Sequence, residues 1–160
     1  MATVKHETRF EFNRSAEVLF PLFSAEGEKS WVPGWDYENI MGATDLHEDY
    51  VFLTAGHSSS EDHTSGHHEA AKVIWLVKRY EPANYYVQFY LVEPGDMVGI
   101  VTVHCKPLEA ALTEVNVSYE FIGLSNKGND FINGYTSELF ESCIGQWPIW
   151  LQGYFDTIAA

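Results

Sequence analysis

Residues 4–12 alternate without a break. Val4, His6, Thr8, Phe10 and Phe12 fall on one side of an extended chain, and Lys5, Glu7, Arg9 and Glu11 fall on the other. This period of two places one face on a core and the other in water, the habit of a half-buried antiparallel strand. Residues 113–122 repeat the pattern, with Val115, Val117, Tyr119 and Phe121 opposite Glu114, Asn116, Ser118 and Glu120. Between these two segments, β-rich runs at 35–41, 49–54, 70–80, 85–92 and 97–106 are separated by polar or Pro/Gly turns. The turns fall at Gly42–Asp49, Glu81-Pro82, Glu93-Pro-Gly-Asp96 and Pro107–Leu112. Short connections between successive strands predict a mostly antiparallel meander of about six strands after the first.

Helical spacing appears in two places. After Asn13 and Ser15, which supply cap chemistry, Val18, Leu19, Leu22 and Phe23 predict a short helix over 15–23 that Pro21 bends or ends early. Ser24 and Gly27 bracket a second helical turn closing near Trp31, and Pro33-Gly34 is a turn dipeptide. At the other end, Ser125 is the expected N-cap of one long helix over 126–158. Its inward face would carry Ile132, Leu139, Cys143, Trp147, Trp150, Tyr154 and Ile158, flanked by Phe140, Ile144 and Leu151. Such a helix would be about 50 Å long, too long to stay straight over a domain of this size. Pro148 leaves the Ile144 carbonyl without its N–H donor and is expected to kink the helix from the solvent face. A curved antiparallel sheet wrapped around a long C-terminal helix, an α+β architecture, satisfies this order.

Charge and cysteine usage exclude several function classes. Asp and Glu outnumber Lys and Arg 23 to 9, a formal charge of −14. That balance opposes nucleic acid and anionic membrane surfaces, both of which need clustered cations. No stretch of about 18 apolar residues predicts a membrane span. Cys105 and Cys143 lack metal or redox spacing and read as reduced thiols. The N-terminal ten residues carry no apolar signal stretch, so a cytoplasmic location is expected.

Three segments carry a resemblance. Val18-Leu-Phe-Pro-Leu-Phe-Ser24, Glu28-Lys-Ser-Trp-Val-Pro-Gly-Trp35 and Trp75-Leu-Val-Lys-Arg-Tyr-Glu-Pro82 resemble the START/Bet v 1-like (SRPBCC) superfamily, within it a small bacterial branch with polyketide-cyclase-like members. Val92-Glu-Pro-Gly95 and the stretch from Tyr119 to Asn129 match as well, so the resemblance spans nearly the whole chain in order. Trp-Val-Pro-Gly-Trp is its most specific piece. It implies a single helix-grip domain over 1–160, two short helices after the first strand, and an apolar cavity between sheet and C-terminal helix. The chain departs from the pattern at about 56–69, where a His-rich stretch reads as an inserted loop.

Five Trp, nine Tyr and ten Phe supply the material for both a core and a pocket wall. Trp35, Trp75, Phe89, Val103, Tyr119, Leu139, Cys143, Trp147 and Trp150 are expected to line the cavity. His57, His63, His67 and His68 fall within metal-ligand spacings. Their Ser/Gly-rich setting without Cys reads instead as a solvated hairpin tip, so neither metal nor cofactor is expected. His6 reads as a satisfied histidine on the first strand, His104 as outward, Arg79 as a surface partner, and Glu114 and Glu120 as solvated. No nucleophile, base and orienting group fall together. The expected function is binding or carrying a small hydrophobic or lipid-like molecule, by a monomer or homodimer. Two alternatives stay open: a cyclase/aromatase- or dehydratase-like enzyme using the same cavity, and a protein-interaction module resembling the activator of Hsp90 ATPase.

Overall fold

Alternation in the sequence becomes a sheet in which every neighbouring pair is antiparallel. The computed structural model describes residues 1–56 and 72–159. Its strands are β1 (Thr3–Phe12), β2 (Val51–Thr54), β3 (Val73–Glu81), β4 (Tyr86–Glu93), β5 (Met97–Glu109) and β6 (Leu112–Gly123), ordered β1-β6-β5-β4-β3-β2. The first strand therefore pairs with the last, His6 opposite Tyr119 and Phe10 opposite Val115. The alternating faces meet in register. Val101, Val103 and Cys105 lie opposite Tyr119, Val117 and Val115, and all but Tyr119 are buried. The sheet is curved, with register shifts at Val77/Arg79 and Pro107/Glu109, the kind of irregularity that bends a strand.

Each helix begins on a hydroxyl. Ser15 caps α1 (Ala16–Leu19), Ser24 caps α2 (Ala25–Glu28), Ser125 caps α3 (Asn126–Gly134) and Thr136 caps α4 (Ser137–Ile158). In each case the side-chain oxygen accepts an N–H that the first turn cannot satisfy internally. Pro21 falls in a 3-10 turn, Phe20–Phe23, that follows α1 directly. The two short helices after the first strand are thus present, as the sequence predicts.

Four expectations are corrected. Residues 35–41 form no strand, and only Glu38 bridges to Leu53, so the sheet has six strands among the described residues. The reason is that the Trp35 indole N–H donates to the Ala25 carbonyl and the Tyr37 hydroxyl to Glu26 Oε2, at 2.8 and 2.5 Å, pulling this segment onto α2. Second, β5 continues through Pro107 to Glu109, because Pro107 sits at a register shift where its missing N–H is tolerated. Third, the C-terminal helix is two helices. Tyr135 leaves helical geometry (ψ 85°), and Thr136 recaps the chain.

The fourth correction follows from the third. With the break, the buried stripe of α4 is Phe140, Ile144, Leu151 and Phe155, rotated by one residue from the face expected. Leu139 is 52% exposed and Ile158 61%. Pro148, placed between Ile144 and Leu151, is half-buried on the packing side and not on the solvent face. His6 anchors the joint. Its Nε2–H donates to the Tyr135 carbonyl at 2.8 Å, and its ring stacks on Phe140. No described helix is long and apolar enough to cross a membrane. The His-rich insertion expected at about 56–69, with His57, His63, His67 and His68, lies outside the described residues from position 57 onward.

Candidate functional site

The short helices follow β1 in the chain, and their positions are set by hydrogen bonds from indoles. Trp31 Nε1 donates to the Leu22 carbonyl at 2.7 Å, and Trp35 Nε1 donates to that of Ala25. Between these tryptophans, Gly34 takes φ +71°, the left-handed value that Pro-Gly turns require, and Trp35 N bonds back to the Val32 carbonyl. The Trp-Val-Pro-Gly-Trp motif is therefore a clasp that closes α2 over the inner face of the sheet.

Beneath that clasp lies a cavity of about 400 Å³ between the sheet, α2, α3 and α4. Trp35, Trp75, Phe89, Val103, Tyr119, Cys143 and Trp147 all line it. Leu139 and Trp150, expected there too, do not: the one-residue rotation of α4 turns Leu139 outward and sets Trp150 at the edge of the core. The wall is mainly aromatic. Phe52 and Trp75 stack at 5.7 Å, and Phe89 meets both edge-on. Trp147 stacks on Phe23 and meets Trp31 edge-on at 5.5 Å. The Trp75 indole N–H is satisfied by Thr54 Oγ1 at 2.9 Å, so this ring presents carbon to the cavity.

One acidic residue is set into this wall. Glu28 ends α2, and its carboxyl makes no hydrogen bond or ion pair among the described residues. Its side chain is partly buried and lines the cavity. Burial alone pushes its carboxyl up to about 8. Glu26, two residues away, shows the opposite behaviour. It accepts the Tyr37 hydroxyl and lies 3.4 Å from Lys29, and the Tyr37 bond chiefly holds it below the usual range. The close packing of Gly27 sets this arrangement. A Cβ at Gly27 would meet the Pro21 carbonyl oxygen at 2.3 Å, so only glycine lets α2 approach near enough for Glu28 to reach the cavity.

The other polar cavity groups are neutral. Tyr119 is pushed well above the ordinary phenol range by burial and, secondarily, by Glu28. Burial raises Tyr135 to about 12. Cys143 is a free thiol with accessible surface in the cavity, whereas Cys105 is fully buried in β5. No Lys, Arg, His or Asp lines the cavity among the described residues, and no group of three metal-ligating side chains forms among them. A carboxyl, two phenols and a thiol in an apolar enclosure can orient a ligand by hydrogen bonds, and the carboxyl can take or give a proton near neutrality.

The remaining candidates behave as surface or structural groups. Arg79 pairs with Glu81 at 2.6 Å and lies over the Tyr86 ring. His104 meets Tyr86 on the outer sheet face, and Glu114 accepts from Asn116. A depression of about 470 Å³ beside Arg79, Tyr86 and His104 is wide and solvent-facing, with polar side chains already engaged with one another. Sequence reasoning passed over Glu28. Its signal was the spacing Ala25, Glu28, Trp31: a carboxylate at the centre of an apolar i, i+3 stripe.

No protein-family model and no curated protein sequence matches this chain. Solved structures do. Ara h 8.0201 superposes with a TM-score of 0.65 at 10% identity, covering 97% of this chain and 99% of its own. Norcoclaurine synthase from Thalictrum flavum, in complex with dopamine and hydroxybenzaldehyde, gives 0.63 at 11%, covering 95% and 88%. The Zhui aromatase/cyclase from Streptomyces sp. R1128 gives 0.58 at 13%, covering 96% and 91%. At such identities the likeness is one of fold.

Proposed function

We propose that this chain, which has the helix-grip fold of START/Bet v 1-like proteins, binds a small, largely apolar molecule in the cavity under α2 and α4. The cavity carries the reading: about 400 Å³, walled by aromatic rings, with a few polar groups turned inward. Both the volume and the lining are those of small-molecule sites, about 300–1,000 Å³ and mainly apolar. Fold neighbours that include a synthase in complex with two small aromatic molecules support it. The test is a titration with a neutral, solvent-sensitive naphthalene fluorophore, together with native mass spectrometry of the purified protein. Saturable one-to-one binding with a blue-shifted emission is expected. Emission that only rises linearly with probe, without saturation, would overturn the reading.

Glu28 favours a second reading, an enzyme of the cyclase or dehydratase kind. A carboxyl whose burial sets it near 8 is matched to proton transfer at neutral pH, and Tyr119 lies within its electrostatic reach. Incubating the protein with its co-purified ligand separates the two. Return of the ligand at unchanged mass and connectivity supports carriage, and a new product removed by Glu28→Gln supports catalysis.

A further inference from the structure

Within the cavity, every described side chain that could neutralise Glu28 is missing from the wall. The groups that face it come from three elements. Tyr119 stands on β6, Tyr135 at the α3–α4 joint, and Cys143 and Trp147 on α4. All are neutral, and none forms a hydrogen bond to the carboxyl. Ser24 Oγ, from the α2 side, is already engaged with the Pro21 carbonyl and Gly27 N. An acid without a partner inside an apolar enclosure is costly to the fold. Its retention there is explained by a function that uses it.

We propose that the occupant of this cavity is an amine, cationic at neutral pH, whose ammonium sits against Glu28 while its apolar body lies among the aromatic rings. This rests on the cavity being a ligand site, as proposed above. Two further observations favour a cation. Aromatic rings attract cations through their quadrupole, and Trp35, Phe52, Trp75, Phe89 and Trp147 line the space. The chain as a whole carries a charge of −14, which raises the local concentration of cations and repels anions. A neutral acceptor could be held by an amide or hydroxyl as well as by an acid. What glutamate adds is the capacity for charge, which a cationic occupant uses in binding and a neutral one does not.

The chemistry makes the proposal measurable. In the empty cavity the Glu28 carboxyl keeps its proton up to about pH 8. An ammonium ligand stabilises the carboxylate, so binding below that pH must expel the proton to solvent. The probes are 2-(2-naphthyl)ethylamine and 2-(2-naphthyl)ethanol, which share an apolar body and differ in the charged group. Calorimetry in two buffers of different ionisation enthalpy reads the proton count.

The amine is expected to bind about tenfold more tightly than the alcohol at pH 8, with release of nearly one proton per amine at pH 6.5. Its affinity is expected to rise with pH and then level off above about pH 8. Glu28→Gln is expected to reduce the amine-to-alcohol preference to about one and to abolish proton release. Equal affinity for both probes, or an amine preference that survives Glu28→Gln, would overturn the proposal while leaving the cavity a ligand site. Failure of both probes to bind the intact protein would overturn the ligand-site reading itself. The wild-type comparison needs no variant, so a poorly folding Gln protein does not block the test.

Discussion

Glu26 and Glu28 stand two residues apart on one short helix and live in different solvents. The first is partly exposed, with a phenol and an ammonium beside it; the second faces a cavity with no side-chain partner. The difference has a thermodynamic consequence. Burial raises the folded Glu28 carboxyl to about 8 from an ordinary 4.5, so between these values the folded chain holds a proton that the unfolded chain has lost. Stability from Glu28 is therefore fully present below about pH 4.5, falls as pH rises through about 8, and then levels off. Subtracting the pH–stability profile of Glu28→Gln from that of the wild type isolates this slope. The difference should decline by about 4 kcal/mol from pH 4.5 to 9 in urea titrations, and a flat difference would show that water solvates the carboxyl. The two cysteines make a parallel contrast. Cys105 is fully buried, its thiol pushed up to about 12, and should resist alkylation until unfolding. Cys143 has accessible surface in the cavity and should react in the native state, with its rate reduced by a bound naphthyl ligand.

Among the elements, the strands were far more legible than the helices and loops. Alternation over 4–12 and 113–122 is local and period-two, so the face of each side chain could be read without any knowledge of its neighbours. The segment 35–41 has apolar residues at strand-like spacing, but the Trp35 indole and Tyr37 hydroxyl reach 10 and 11 residues back to α2. Such long-range bonds leave no local trace. The C-terminal break did leave one: Gly134 followed by Thr136 is a stop beside a cap, and overlooking it shifted the projected face by one residue and misplaced Leu139 and Trp150. Glu28 was missed because acid on a short helix normally means solvent, and only the close approach of α2 at Gly27 overrides that. Gly27→Ala tests this contact directly. A methyl 2.3 Å from the Pro21 carbonyl forces α2 outward, with an expected loss of about 1–3 kcal/mol. The same variant should shift Trp emission, because Trp31 and Trp35 are bonded to carbonyls of this region. Unchanged stability and emission would mean that α2 is not held by this contact.

At the scale of the molecule, the question is why aromatic side chains are spent on a wall when they could close a solid core. A packed interior leaves few voids larger than a water molecule, and a cavity this size in a core forfeits dispersion contacts along its whole lining. The fold sustains it by placing its tightest packing elsewhere, with Leu19, Phe140, Ile144 and Leu151 almost without exposed surface. The cavity should therefore accept added bulk without damage to that core. Cys143 is the position to use, since it lines the cavity from α4 and is a small side chain. Cys143→Trp should keep stability within about 1–3 kcal/mol of the wild type, because the new ring enters existing space without displacing packed atoms. It should also abolish saturable binding of naphthyl probes and the rise in melting temperature that they cause. Leu139→Trp, on the outward side of the same helix, provides the comparison, because it adds the same bulk without entering the cavity. Equal loss of binding in both variants would show that probes dock on the helix surface and that the cavity is not their site.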